Sequence, residues 1–138
     1  MEAMKLAYSA HHGQVDKSNV PYIFHPYHLA EQMDDEASVC VALLHDVIED
    51  TDITIEQLRS VFPSTIVDAV ALMTHNEDED YLTYVKQIKT NPLARKVKLA
   101  DLRHNTDTSR MPDADAKTLA HYHNKYQKAF EILEEDYT

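Results

Sequence analysis

The chain contains one glycine among 138 residues, and this scarcity constrains its fold more than any other feature. Chains that are poor in glycine and rich in alanine, leucine, glutamate, lysine and glutamine usually fold as helices. Five prolines lie between segments with apolar periodicity, and 43% of the residues are apolar, which is enough to fill one core. The sequence therefore predicts a single compact all-α domain over residues 1–138.

The apolar pattern and the capping signals predict about eight helices. Gly13 should stop the first, Thr54 with Gln57 forms a capping box, and Asn91 followed by Pro92 caps and begins another. The middle of the third helix is apolar nearly all round, so it should be the central buried helix. The predicted helices cover about residues 2–12, 26–33, 35–49, 54–61, 66–72, 80–90, 92–106 and 114–135, the last one after Pro112 and Asp113.

The formal net charge of −11 argues against a nucleic-acid or anionic-membrane partner, since both are usually bound by basic surfaces. No run approaches the roughly 18 apolar residues of a membrane span, and the first residues lack a signal-peptide pattern. The lone Cys40 lies in an apolar run and is expected to be a small buried residue of a reduced, cytoplasmic protein. An acidic protein with an anionic substrate needs compensation from a bound metal or a few placed cations.

Four ionisable residues interrupt the predicted central helix: His45, Asp46, Glu49 and Asp50. Burying a carboxylate without a partner costs several kcal/mol, and a divalent cation offsets that cost directly. The alternative is a helix end that frays into water with its acids solvated. His45 and Asp46 precede the end of the apolar run by a full turn, which favours the metal interpretation.

Two further residues fit the same chemistry. His25 lies where a loop enters the second helix, and Asp101 interrupts an apolar stretch one turn before Asn105. With His45 and Asp46 they supply two imidazoles and two carboxylates, a set that suits manganese, iron or zinc. Four protein ligands leave positions open for water and phosphate oxygens, as metal-assisted hydrolysis requires. A closed structural zinc site usually includes cysteine, which this chain lacks in sufficient number.

Three ordered motifs carry a resemblance to a known family. They are Pro21-Tyr22-Ile23-Phe24-His25-Pro26, then residues 42–51 with His45-Asp46 and Glu49-Asp50, then Val97-Lys98-Leu99-Ala100-Asp101 with Asn105. Together they resemble the HD hydrolase domain of RelA/SpoT-type alarmone enzymes, from Gly13-Gln14 to the last predicted helix. The chain has no room for the synthetase domain of the long enzymes, so we expect a stand-alone small alarmone hydrolase made of one HD-type phosphohydrolase domain.

The resemblance implies removal of the 3′-pyrophosphate from ppGpp or pppGpp, a small nucleotide substrate, usually with manganese. It implies that His25, His45, Asp46 and Asp101 are the metal ligands. Glu49 and Asp50 match the acidic pair assigned to the attacking water. Nucleotide contacts are implied for Lys17, Asn105 and Tyr126.

One position departs from the family pattern. Many relatives carry an Arg-Lys pair before the Pro-Tyr-Ile segment, with the arginine packed on the base, whereas this chain has Asp16 and Lys17. An aspartate offers no stacking surface for guanine. The alternatives are therefore an HD phosphohydrolase acting on another nucleotide or on the 2′-phosphate of NADPH, and a non-catalytic, antitoxin-like binding module. The complete set of ligands and acids argues against the module.

Outside these motifs we interpret the residues as structural. Five other histidines are expected at the surface, and His104 could lie near the site because it adjoins Asn105. The basic run of Arg95, Lys96 and Lys98 is either a solvated helix face or a compensation for acidic charge near phosphate. The histidines expected at the surface are His11, His12, His75, His121 and His123.

Overall fold

The computed structural model describes residues 2–16, 19–106 and 116–134, and most of these residues are helical. Within these ranges there is no β-strand, and Val15 and Pro21 form an isolated antiparallel bridge. None of the described helices is long and apolar enough to cross a membrane. The helices are α1 (Glu2–His11), α2 (Phe24–Glu31), α3 (Glu36–Leu44), α4 (Val47–Asp50), α5 (Ile55–Arg59), α6 (Ser64–Met73), α7 (Tyr81–Lys89), α8 (Pro92–Asn105) and α9 (Ala116–Glu134). The prediction of an all-α fold is confirmed.

The predicted capping signals act as expected. Gly13 follows α1 with a φ of +88°, a conformation that residues with a side chain rarely adopt. At the start of α5, Thr54 and Gln57 make both hydrogen bonds of a capping box. Asn91 accepts hydrogen bonds from two backbone amides of α8, whose first residue is Pro92. Pro112 and Asp113, predicted to precede the last helix, lie outside the described residues.

Helix α3 is the centre of the molecule, as predicted. It packs against α1, α2, α6 and α8, while α7 and α9 pack against each other and against α8. Residues Val41, Ala42, Leu43 and Leu44 have no exposed surface, so the last turn of α3 is apolar on every side. Cys40, on the same helix, is a free and buried thiol, as expected.

The prediction of one continuous helix over residues 35–49 is wrong, because the chain breaks at His45 and Asp46. Helix α3 ends at Leu44 and α4 begins at Val47, with Asp46 between them at φ −108° and ψ 0°. His45 Nδ1 lies 2.6 Å from the Ala42 carbonyl oxygen, a side-chain contact with the last turn of α3. Adjacent side chains on a regular helix point about 100° apart. The break removes that constraint, and His45 and Asp46 turn toward one another.

Candidate metal centre and its acidic rim

Three segments that are distant in sequence bring two imidazoles and a carboxylate together. His25 is in the first turn of α2, His45 follows α3, and Asp101 is in α8. All three side chains are buried, and each offers one ligand atom within 4.8 Å of the others. Asp101 Oδ1 lies 2.8 Å from His25 Nε2 and 3.4 Å from His45 Nε2. The described part of the chain thus contains a possible histidine–aspartate metal site.

Asp46, the fourth predicted ligand, adjoins this group. Its Oδ2 atom lies 2.9 Å from His45 Nε2 and accepts a hydrogen bond from the Tyr22 hydroxyl. Burial, followed by the charge of Asp46, raises the pKa of Tyr22 far above its usual range, so the phenol remains a donor. Sequence analysis did not assign Tyr22 a role, although it stands in the same motif as His25. The phenol therefore holds the same Asp46 oxygen that lies beside His45.

The environment of His45 Nε2 tests whether a cation fits this cluster. If Nδ1 carries the proton donated to Ala42, Nε2 presents a lone pair toward the carboxylates of Asp46 and Asp101. Nε2 is buried and makes no well-oriented hydrogen bond with either carboxylate. A lone pair facing two carboxylates is unfavourable unless a proton or a metal ion lies between them. The donor set therefore fits a divalent metal at this position.

The pKa shifts in the cluster also show that its carboxylates favour a positive charge beside them. Burial alone would lower the pKa of His45, but Asp46 and then Asp101 raise it well above its usual range. Burial would raise the pKa of Asp101, yet the Lys98 ammonium, followed by the neighbouring His25 and His45 imidazoles, holds it well below its usual range. The carboxylate thus remains ionised, the form in which it can act as a metal ligand.

Lys98 belongs to the site, although its sequence context left two roles open for it. Its side chain is only 11% exposed, and Nζ donates to Asp101 Oδ2 over 3.0 Å while lying 5.4 Å from the centre of the Tyr84 ring. The solvated-face interpretation is therefore wrong for Lys98, and compensation of acidic charge is its role toward Asp101. Lys96, two residues earlier, is more exposed and pairs with Asp34 and Asp35.

Glu49 and Asp50 form a solvent-accessible rim beside the cluster. Glu49 Oε1 accepts a hydrogen bond of 2.5 Å from the His75 backbone amide, which ties α4 to the loop after α6. The Gln14 side chain donates to the Asp50 carbonyl oxygen over 2.9 Å. Partial burial, and after it the charge of Asp46, raises the pKa of both acids. Two accessible carboxylates with raised pKa values are suited to accept protons from water near neutral pH.

Two of the histidines expected at the surface are instead packed in the molecule. His11 is buried, because its ring packs on Tyr22 with centroids 4.9 Å apart and its Nδ1 contacts Gln14 at 3.0 Å. His75 is half-buried against the rings of Tyr81 and Tyr84. His12 and His121 are exposed, as expected, and the side chain of His123 lies outside the described residues.

The residues expected to contact a nucleotide lie at different positions relative to the cluster. Asn105 Nδ2 lies 3.2 Å from Asp101 Oδ1, so this amide is within the site. Tyr126, on α9, is half-buried with its ring centre 6.3 Å from that of Tyr81. Lys17 lies outside the described residues. Asp16 lines a pocket of about 510 Å³ whose walls also include His25 and His104.

The described residues form helices and bring two histidines and an aspartate together at a break beside the central helix. This arrangement places the chain in the class of helical proteins with a possible histidine–aspartate metal site. Residues 3–104 match the family described as HD domain. The chain belongs to this HD domain family.

Relatives with curated names support the same grouping. The chain is 34% identical over 121 residues to a probable guanosine-3′,5′-bis(diphosphate) 3′-pyrophosphohydrolase of Synechocystis, covering 77% of this chain and 16% of that protein. It is 38% identical over 119 residues to the guanosine-3′,5′-bis(diphosphate) 3′-pyrophosphohydrolase of Haemophilus influenzae, covering 75% and 17%. The chain therefore spans about one sixth of the length of these relatives.

A solved structure has the same fold. It is described as a metazoan ortholog of SpoT that hydrolyzes ppGpp, and it superposes with a TM-score of 0.78 at 23% identity. The superposition covers 96% of this chain and 84% of that chain. At this level of identity the likeness concerns the fold, which agrees with the helical HD-domain architecture predicted from the sequence.

Proposed function

We propose that the chain is a metal-dependent phosphohydrolase that removes the 3′-pyrophosphate from ppGpp and pppGpp. The proposal treats residues 1–138 as one HD-type domain, with His25, His45, Asp46 and Asp101 as ligands of a divalent metal, most suitably manganese. The observation that carries it is the buried His45 Nε2 atom, which faces two carboxylates without a well-oriented hydrogen bond. Relatives named as 3′-pyrophosphohydrolases that align over three quarters of the chain support the choice of substrate.

A divalent metal bound here would supply Lewis-acid polarisation of a phosphate oxygen and of water. The protein residues would orient the metal ligands and accept the proton from water. Tyr22 and Lys98 hold the carboxylates of Asp46 and Asp101 by hydrogen bonds, so the ligand atoms are oriented before substrate arrives. Glu49, fixed by the His75 amide, would accept a proton from the attacking water, with Asp50 beside it.

The reaction exchanges one oxygen–phosphorus bond for another. The water oxygen bonds to the phosphorus that carries the ribose 3′ oxygen, and the bond between that phosphorus and the 3′ oxygen breaks. The 3′ oxygen takes up a proton, which leaves a free 3′ hydroxyl on GDP from ppGpp or on GTP from pppGpp and releases inorganic pyrophosphate. Lys17, Asn105 and Tyr126 are proposed to hold the nucleotide during this step.

The direct test is pyrophosphate release from ppGpp by the purified chain with and without added manganese. We expect release that depends on the metal and is accompanied by GDP. The same assay with other nucleotides and with NADPH separates the substrate from the chemistry. Cleavage of one of these compounds but not of ppGpp would retain the metal-dependent hydrolase and overturn the alarmone substrate. No cleavage of any of them by metal-loaded protein would overturn the hydrolase itself.

Asp16 is proposed to set the specificity for the base. It lines the same pocket as His25, and the exposed ring of Phe24 is also in the wall. Asp16 Oδ1 also accepts a hydrogen bond of 3.0 Å from the Val20 amide, so the side chain shapes the loop as well. A substitution at this position therefore changes both charge and loop geometry, and the two effects need separate variants.

Asp16→Arg is expected to lower KM for ppGpp about ten-fold or more while kcat changes little. The arginine would add a stacking surface worth roughly 0.5–2 kcal/mol and remove a negative charge from beside an anionic substrate. Binding gained equally by substrate and transition state alters KM alone. Steady-state kinetics on ppGpp and its adenine counterpart measure the effect.

The control for this variant is Asp16→Asn. Asparagine retains an oxygen that can accept from Val20 and removes the charge, so it should recover only the electrostatic part of the gain. If Asp16→Arg changes neither KM nor the preference for guanine over adenine, the loop does not contact the base.

A further inference from the structure

His25 has a defined partner on each of its ring nitrogens, and both partners come from α8. Asp101 Oδ1 faces Nε2 at 2.8 Å, and His104 Nδ1 faces Nδ1 at 2.5 Å. Asp101 and His104 are three residues apart, so they project from one face of the helix. A single helix thus contacts both nitrogens of an imidazole that belongs to α2.

The two rings meet edge to edge. Their planes are within 9° of parallel, and their centroids are 4.8 Å apart while the two Nδ1 atoms are 2.5 Å apart. The centroid separation exceeds the nitrogen separation by about the two ring radii. The nitrogens therefore face one another along the line that joins the rings, which is the geometry of an in-plane N–H···N hydrogen bond.

Such a bond contains one proton, and its position decides whether His25 can bind a metal. When His25 carries its proton on Nδ1 and donates it to His104, Nε2 has a free lone pair directed at the cluster. When His104 donates instead, the neutral His25 must carry its proton on Nε2, pointing at Asp101. Metal ligation through Nε2 requires the first arrangement.

We infer that His104 is a positioning residue that accepts the Nδ1 proton of His25 and so keeps His25 Nε2 available as a metal ligand. This inference rests on the proposed metal-binding role of His25. Asp101 favours the other tautomer of His25, because its carboxylate accepts a proton from His25 Nε2 while the metal is absent. An imidazole at position 104 is compatible with both states, since its Nδ1 can either donate or accept.

The test measures manganese affinity of metal-free protein by titration calorimetry, without substrate. His104→Leu removes the acceptor and is expected to weaken binding about 10–100-fold, the usual effect of losing the group that orients a metal ligand. His104→Asn, whose amide oxygen can accept at a comparable position, should stay within a few-fold of wild type. Rescue by asparagine distinguishes an acceptor role from mere packing.

His28→Leu is the matched control. His28 lines the same pocket and packs against His104 with ring centroids 4.4 Å apart, so its removal alters packing but leaves the partner of His25 Nδ1. We expect near-wild-type affinity. Equal affinity of wild type and His104→Leu would overturn the inference while the proposed function stands. Failure of the wild type to bind manganese would overturn both.

A second measurement does not depend on the folding of a variant. Long-range proton–nitrogen NMR spectra of the wild-type chain loaded with diamagnetic zinc report the tautomer of each histidine. We expect His25 to carry its proton on Nδ1 and His104 to carry its proton on Nε2. A proton on His104 Nδ1 in the loaded protein would overturn the inference.

Discussion

Replacing Asp46 by alanine is expected to empty the metal site and to abolish hydrolysis. Asp46 contributes a carboxylate oxygen that lies 2.9 Å from His45 Nε2 and accepts a hydrogen bond from the Tyr22 hydroxyl. Loss of a ligand should exceed the roughly 10–100-fold loss of affinity caused by losing a supporting group. Metal analysis after dialysis should give about one divalent ion per wild-type chain and none in the variant.

The same variant gives a thermodynamic measure of metal binding. A ligand present at 100 times its Kd stabilises the folded state by about 2.7 kcal/mol, which corresponds to a rise in Tm of about 10 °C for a chain of this size. Wild type should show this rise with manganese, and Asp46→Ala should not. Asp52→Ala removes an exposed acid from the adjoining turn and should respond like wild type. An undiminished manganese response in Asp46→Ala would remove Asp46 from the ligand set.

Glu49→Gln and Asp50→Asn are expected to lower kcat by about 10²–10⁴-fold while the protein still binds metal and substrate. Glutamine retains the oxygen that accepts from His75, and the Gln14 contact is to the main chain of Asp50, so neither change disturbs the scaffold. Asp52→Asn is the control for charge. Near-wild-type turnover in both variants would show that another group receives the proton from water.

The pH profile provides an independent check on the same assignment. Burial and Asp46 raise the pKa of Glu49 and of Asp50, and a general base acts only when deprotonated. As pH falls, wild-type kcat/KM should therefore decline above the ordinary carboxyl pKa of about 4. The decline at acidic pH should disappear when the residue that acts as general base is replaced by its amide. A decline unchanged in both variants belongs to another group.

Local signals in the sequence predicted the helices well. Gly13, the capping box of Thr54, and Asn91 before Pro92 act within a few residues of chain, so their effect can be read without tertiary information. The free-energy cost of burying the Asp46 and Asp101 carboxylates in apolar segments indicated a metal site for a similar reason. Both the capping preferences and the cost of burying these carboxylates can be recognised from neighbouring residues in the sequence alone.

The features that were not predicted depend on contacts between distant segments. The break after Leu44 could not be recognised, because the apolar run continues through it in sequence. The Lys98 side chain is largely covered because its ammonium pairs with Asp101 and lies over the Tyr84 ring. His11 is buried because Tyr22 folds over it. Each outcome is decided by tertiary packing, which helical periodicity does not encode.

The separation of 76 residues between His25 and Asp101 sets the order of events during synthesis. A ribosome adds about 5–20 residues per second, so His25 is made roughly 4–15 seconds before the carboxylate that faces it. Throughout that interval the pocket lacks α8, and with it both partners of the His25 ring. The four proposed ligands are therefore complete only after α8 has been translated, and the earlier segments supply His25, His45 and Asp46 alone.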